Sequence, residues 1–142
     1  MKLLSVIALV LAATVAAPAD TIEELKAKAP NASPKDQVKI YAELAKKTVE
    51  VADTHFTAGD RDQGMAAVKE VIDYAEKSVA ATRVSGKRRK QTEITFRKAA
   101  TRLDHISRGL AFEDREEVEK AIKRLHELRD ELLNMMFSKE EK

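Results

Sequence analysis

The sequence lacks cysteine and tryptophan, and its 142 residues include only six aromatic side chains, four glycines and three prolines. Without cysteine there is no disulfide, thiolate metal ligand, thiol nucleophile or site for a lipid-modified cysteine. A strong net charge is also missing, because 26 basic residues stand against 24 acidic ones. Net charge therefore gives no reason to expect specific nucleic-acid binding. The hydrophobic fraction of 44% is too high for a disordered chain, and the length allows one ordinary domain.

The first nineteen residues have the pattern of a cleavable signal peptide. Lys2 is the only charge before Asp20, and the run from Leu3 to Ala13 is almost continuously apolar. Small residues then form an A-x-A-like cleavage site that ends at Ala19. The apolar run is too short to span a bilayer. We expect cleavage after Ala19, with Ala17 as the alternative, and a periplasmic or secreted mature chain without a transmembrane segment.

Proline and glycine divide the rest of the chain into four long segments. No proline follows Pro34, and three of the glycines fall where helices commonly end, at Gly59, Gly86 and Gly109. Apolar residues repeat at spacings of three and four within each segment, which is typical of amphipathic helices. The sequence therefore predicts helices near 34–58, 60–84, 87–109 and 114–137.

Helix start signals agree with this division. Ser33, Asp60 and Asp114 each stand where an N-cap is expected, with acidic or amide side chains in the following turn. A weaker signal at Thr21 predicts a short turn of helix within an N-terminal segment, residues 20–33. The predicted domain covers residues 34–142. Short connections favour antiparallel neighbours, so the expected fold is all-α, either an up-down bundle or two stacked helical hairpins.

The turn between the first two long helices carries a family resemblance. Ala52, Phe56, the pair Gly59-Asp60 and Gly64 fall where a tetratricopeptide hairpin places small, aromatic, turn and small residues. The match is limited to the residues around this turn, and it resembles a single tetratricopeptide hairpin. The chain as a whole resembles small exported bacterial helical proteins of unassigned function. The tetratricopeptide resemblance implies protein–protein binding.

Residues suited to catalysis are few. The three histidines, His55, His105 and His126, do not stand in the spacings of the di-iron or zinc-protease helix motifs, and no phosphate-binding or dinucleotide-binding glycine loop is present. His55 lies within the apolar arc of the first helix, where we expect a core histidine. We predict no catalytic residue, no cofactor and no metal. A small metal-binding or enzymatic bundle that uses the histidines is an alternative.

Charge is unevenly distributed along the chain. Residues 85–109 contain eight basic and two acidic residues, whereas residues 110–142 contain seven basic and ten acidic ones. The third predicted helix and the loop before it are therefore the expected contact surface for another envelope protein or an anionic envelope component. A solvated face that pairs with acids of the last helix is the alternative. The predicted contact residues are Arg83, Lys87, Arg88, Arg89, Lys90, Ile94, Arg97, Lys98, Arg102 and Arg108.

Three further positions depart from the simple amphipathic pattern. Ile94 projects from the middle of the basic face and is a candidate centre for a partner contact. Arg129 interrupts the apolar stripe of the last helix, at a boundary position or opposite an acid on a neighbouring helix. The apolar end of that helix, residues 132–137, is expected to be core, or a homodimer surface if the bundle leaves it open. The leading functional hypothesis is an exported interaction module, and the alternative is a self-associating structural protein.

Overall fold

All regular structure in the described part of the chain is helical. The computed structural model describes residues 20–138, so the predicted signal peptide lies outside the described residues. The all-α class is confirmed. The helices number five rather than four, because the N-terminal segment forms a two-turn helix of its own. They are α1 (Ile22–Lys28), α2 (Pro34–Thr57), α3 (Arg61–Ser85), α4 (Arg89–Arg108) and α5 (Phe112–Phe137), with a 3-10 turn at Ala29–Asn31.

Side-chain caps start the first three helices as their sequences predict. The hydroxyl of Thr21 accepts a hydrogen bond from the amide of Glu24 at 3.2 Å, and that of Ser33 accepts from Asp36 at 3.3 Å. The carboxylate of Asp60 accepts from the third residue of α3 at 3.4 Å. Each cap satisfies an amide that has no partner within its own helix.

The predicted start of α5 at Asp114 is wrong. The helix begins at Phe112 and its N-cap is Ala111, whose side chain cannot accept a hydrogen bond. Asp114 lies in the first turn and pairs with Arg61 at the start of α3. A carboxylate in a first helical turn suits the helix dipole, so the same residue supports both the helix and its contact with α3.

Two glycines end helices in conformations that favour glycine. Gly59 has a φ of +79° after α2, and Gly86 has a φ of +66° after α3. The amide of Gly86 donates to the carbonyl of Thr82 at 2.7 Å, which closes the last turn of α3. Gly109 follows α4 with a φ of −86°, which any residue can adopt. Its position at a helix end does not depend on glycine.

The four long helices form two stacked hairpins. The three-residue turns after α2 and α4 make antiparallel pairs of α2 with α3 and of α4 with α5, whereas α3 and α4, although consecutive, barely touch. The hairpins stack with α2 on α4 and α3 on α5. These stacked neighbours run parallel, because Arg102 near the end of α4 binds Glu50 and Asp53 near the end of α2. Of the two predicted arrangements, the structure has the stacked hairpins.

Small residues let α2 and α3 pack closely. Alanines at buried positions face each other along this hairpin, and the hydroxyl of Ser78 donates to the carbonyl of Val38 on the opposite helix at 2.8 Å. Gly64 lies against the ring of Phe56, where a Cβ would stand 2.5 Å from a ring carbon. Most of the larger core residues, such as Phe96, Leu103 and Leu125, lie in α4 and α5, and Leu44 of α2 is the exception among the largest.

Helix α1 covers part of the outer side of the first hairpin. Leu25 and Ala29 are buried against it, and the side-chain amide of Gln37 donates to the carbonyl of Ala29 at 2.9 Å. The charge interaction with the phenol of Tyr74 on α3, more than any other contact, raises the pKa of Lys26 above its ordinary value. The outer side of the second hairpin has no such cover among the described residues.

The contact of Gly64 with Phe56 gives a prediction about packing. Replacing Gly64 with Ala improves helix propensity but forces a methyl group into the ring, so we expect a net loss of about 1–2 kcal/mol in the free energy of unfolding. In a Phe56→Ala background the ring is absent, and the same substitution should be neutral or stabilising. Urea denaturation followed by circular dichroism measures both effects. Equal effects of Gly64→Ala in the two backgrounds would contradict this packing.

Candidate functional site

The orientation of α4 determines which of its side chains face solvent. Its buried side lies against α2 and α5 and follows the helical repeat. The buried residues of this side are Thr92, Glu93, Phe96, Ala99, Ala100, Leu103, Ile106 and Ser107. The opposite side carries Lys90, Arg97 and Lys98 around Ile94, within an arc of about 100°, and Lys87 lies in the loop just before the helix. We call these five residues the basic face of α4.

A buried ion pair joins α4 to α5. Glu93 accepts hydrogen bonds from Nε and Nη2 of Arg129 at 3.1 and 2.8 Å, and the two side chains are only 11% and 19% exposed. Nη1 of the same guanidinium donates to Nδ1 of His126 at 3.0 Å. Arg129 therefore pairs with an acid on a neighbouring helix, which is one of the two roles expected from its place in the apolar stripe.

Both acids of α4 are engaged within the protein. Glu93 binds Arg129, and Asp104 pairs with Arg108 one turn away at 2.8 Å. No other acid occurs between residues 85 and 109. The basic face therefore has no carboxylate of its own helix to neutralise it.

Several of the predicted contact residues have partners inside the protein. Arg102 binds the carboxylates of Glu50 at 2.9 Å and Asp53 at 2.7 Å, and its hydrogen bond to Glu50 raises the pKa of the guanidinium above its ordinary value. Arg83 pairs with Glu131 on α5. Arg102 and Arg83 each join two helices, and Arg108 pairs with Asp104 within α4. They are not part of the basic face.

The cations of the basic face are in a different situation. Lys87, Lys90, Arg97 and Lys98 are exposed and form no ion pair with an acid of residues 20–138. Of the predicted contact residues, Arg83 is the one that pairs with an acid of the last helix in this part of the chain, as the alternative expects. The candidate site thus consists of four cations around one apolar side chain.

The start of α4 has an unusual backbone. Arg88 is its N-cap residue and has a φ of +59°, and its side chain makes no capping hydrogen bond. Arg89 follows, and its guanidinium donates to the carbonyl of Met135 near the end of α5 at 3.1 Å. Cations in the first turn of a helix oppose its dipole, at a cost of a few tenths of a kcal/mol each. Folding alone therefore does not favour this placement.

Apolar exposure differs from what the sequence predicts. Ile94 is partly buried, although it lies on the outer side of α4. Leu132 is buried as expected, but Phe137, predicted to be core, is 62% exposed. Sequence reasoning missed Phe112, which is 83% exposed, and Val84 at the end of α3. Apolar residues at helix ends are easily misjudged, because the periodic pattern says nothing of how far a helix extends past its neighbours.

The histidines do not form a site. His55, predicted to be a core residue, lies at the α2–α3 turn with a side chain 36% exposed, and its Nδ1 is 3.9 Å from the carboxylate of Asp60. The prediction fails because His55 stands in the last turn of α2, where the apolar arc reaches the bundle end. Within residues 20–138 no group of three histidines or carboxylates is arranged to hold a metal ion. None of the helices described is both long and apolar enough to cross a membrane.

Comparison of the chain with protein-family models, with curated proteins and with solved structures finds no match.

The Glu93–Arg129 pair gives a prediction about how α4 is anchored. Arg129→Met leaves a buried carboxylate without its cation, so we expect a loss of about 3–5 kcal/mol in the free energy of unfolding. The double variant Glu93→Leu, Arg129→Met removes both charges and should lose much less. Chemical denaturation of the two variants and of Glu93→Leu completes a double-mutant cycle. A wild-type stability for Arg129→Met would show that the pair does not anchor α4.

Proposed function

We propose that the protein is an exported, non-catalytic helical module that binds an anionic surface of another macromolecule through the basic face of α4. The observation that supports this most directly is the set of exposed cations without ion-pair partners among the described residues, on a helix whose two acids are both engaged. No ion pair or favourable helix-dipole interaction in the described chain gives these cations a structural role. An anionic partner would give them one.

The partly buried Ile94 fits this proposal. It lies between Lys90 and Lys98 on successive turns of the helix, so a partner that neutralises the charges also covers an apolar side chain. Exposed ion pairs contribute little affinity individually, about 0–1 kcal/mol each. Charge on this surface therefore favours encounter and orientation, and covered apolar area adds to the lifetime of the complex.

Charge reversal on the basic face tests the proposal. The variant Lys90→Glu, Lys98→Glu should bind a sulfated-polysaccharide resin about tenfold more weakly than the wild type at low salt, because attractive contacts become repulsive. Lys90 is in the first turn of α4, where an acidic side chain interacts favourably with the helix dipole, so this substitution should not destabilise the fold. Retention is measured as the salt concentration that elutes each protein.

A matched control uses two exposed lysines of α2. Lys35→Glu, Lys46→Glu makes the same change in net charge, with one substitution in a first helical turn and one in mid-helix. This variant should elute with or slightly before the wild type and well after the α4 variant. Equal loss of retention in the two variants would mean that net charge, rather than the basic face, determines binding.

Export is the second part of the proposal and has its own test. The charge, apolar run and small residues of positions 1–19 support a cleaved signal. Expression of the full chain in a bacterium, followed by fractionation and N-terminal sequencing, should give a protein that begins at Asp20 in the envelope fraction. A protein that keeps Met1 would contradict export by this signal.

A further inference from the structure

The outer side of α5 is the electrostatic complement of the basic face. Both helices of the second hairpin turn their inner sides toward the first hairpin, so their outer sides lie next to each other on one surface. The exposed acids on the outer side of α5 are Glu113, Glu116, Glu119, Glu127 and Asp130, and of these Glu116 pairs with Lys120 and Glu127 with Arg124 within the same helix. We call these five residues the acidic face of α5. One surface of the protein thus carries a basic helix beside an acidic one.

Two exposed phenylalanines lie on the same side of α5. Phe112 and Phe137 are 25 positions apart, which is close to seven full helical turns, so they point in nearly the same direction about 37 Å apart. Glu119 and Asp130 lie between them, within about 20° of this line. Phe112 and Phe137 are two of the three large apolar side chains that are strongly exposed in the described chain. Packing among the described residues does not account for their exposure.

We infer that the anionic partner of the basic face is the acidic face of α5 in a second copy of this chain. This inference rests on the proposed function, because it uses the same basic face. In the resulting dimer the outer sides of the two second hairpins face each other. The symmetry axis is a two-fold that runs parallel to the helices.

Charge selects this axis over the other closed arrangement. A two-fold axis parallel to the helices places α4 of each copy on α5 of the other, so that the contact between a basic and an acidic face occurs twice in the dimer. A two-fold perpendicular to the helices would place α4 on α4 and α5 on α5. That arrangement sets like charges against each other and is disfavoured.

The register within one chain predicts the contacts between two. Glu93 lies level with Arg129, and Arg89 lies level with Met135. Rotation about an axis parallel to the helices leaves heights unchanged, so the same levels apply across the interface. Lys90 of one copy then lies within one helical turn of Asp130 of the other, and Arg97 lies level with Glu127.

The same register places the other side chains of the interface. Lys123, a cation that lies among the acids of this face, comes level with the uncharged Thr101 of the second copy and within one helical turn of Lys98. Phe112 comes level with the partly buried Leu110, and Phe137 with the loop that contains Lys87. The two phenylalanines therefore lie at opposite ends of the interface, where each gains an apolar or aliphatic surface to cover it.

The dimer should be weak and sensitive to salt. Exposed charges are screened over about 10 Å at an ionic strength of 0.1 M and over about 3 Å at 1 M. Sedimentation velocity of the protein expressed from the full chain, from about 5 to about 500 µM, should show dimer at about 50 mM salt and mostly monomer at about 500 mM. A monomer at every concentration in low salt would overturn the inference.

A charge exchange identifies the interface. Lys90→Glu and Asp130→Lys should each raise the dissociation constant of the dimer about tenfold or more, because each puts like charges together at two symmetric places. The double variant restores opposite charges and should dimerise about as well as the wild type. Lys35→Glu, which changes the net charge as Lys90→Glu does, should leave the dimer intact. Failure of the double variant to recover would rule out this register.

A second pair of variants tests the apolar ends. Phe112→Ser and Phe137→Ser alter exposed side chains, so the stability of the monomer should stay within about 0.5 kcal/mol of the wild type. The dissociation constant should rise several-fold, with an unchanged dependence on salt. Dimerisation that is insensitive to both substitutions would contradict contact at these ends.

The outcomes separate this inference from the function proposed above. A monomeric protein whose retention on the sulfated polysaccharide still depends on Lys90 and Lys98 refutes the dimer and leaves the basic face as a site for a different anionic partner. A monomeric protein whose retention does not depend on them refutes both.

Discussion

The structure depends on the ion pair between Glu93 and Arg129, which fixes α4 on α5. Glu93 is the one carboxylate that α4 buries, and it lies on the apolar side of that helix. Arg129 satisfies it with hydrogen bonds and a positive charge. Since the rotation of α4 about its axis is set by this contact and by Phe96, the cations at the other positions face outward. A helix with eight basic residues in and around it is thereby divided into an inner side whose one acid is paired and an outer side on which cations predominate.

Charges also hold the two hairpins in register. Three arginine–carboxylate pairs run along the parallel contact between α3 and α5, namely Arg61–Asp114, Arg124–Glu76 and Arg83–Glu131. Arg102 has the same role between α4 and α2. Exposed pairs such as these add little stability, so the apolar core supplies the attraction between the hairpins. The pairs select one axial register of the hairpins relative to each other. The cations of the basic face take no part in these pairs.

Much of the fold follows from local sequence. Ser33, Asp60 and Gly86 define helix ends by chemistry that involves only a few neighbouring residues, so their positions are predictable. The choice between an up-down bundle and stacked hairpins is not, because apolar periodicity gives the face that a helix buries and not the helix that covers it. The N-cap predicted at Asp114 fails for a related reason, since its carboxylate serves a tertiary contact with Arg61.

The candidate site was predictable in part. The excess of cations near residues 87–98 can be read directly from the sequence, whereas the internal pairing of Arg102 with Glu50 and Asp53 requires the positions of both helices. Arg129 within an apolar stripe was a usable signal for a buried partner, and Glu93 on the apolar side of α4 was its counterpart. The exposure of Phe112 and Phe137 could not be predicted, because hydrophobicity alone indicates burial.

Photo-crosslinking in the cell tests the central claim, that the basic face of α4 is the surface the protein uses. A photoreactive residue would replace Arg97 on this face in one variant. In a second variant it would replace Lys46 on the exposed side of α2. The structure predicts a defined adduct from position 97 that disappears when Lys90 and Lys98 are reversed in charge, and no comparable adduct from position 46. Adducts of equal yield from both positions would contradict the claim. So would an adduct from position 97 whose yield is unchanged by the charge reversal.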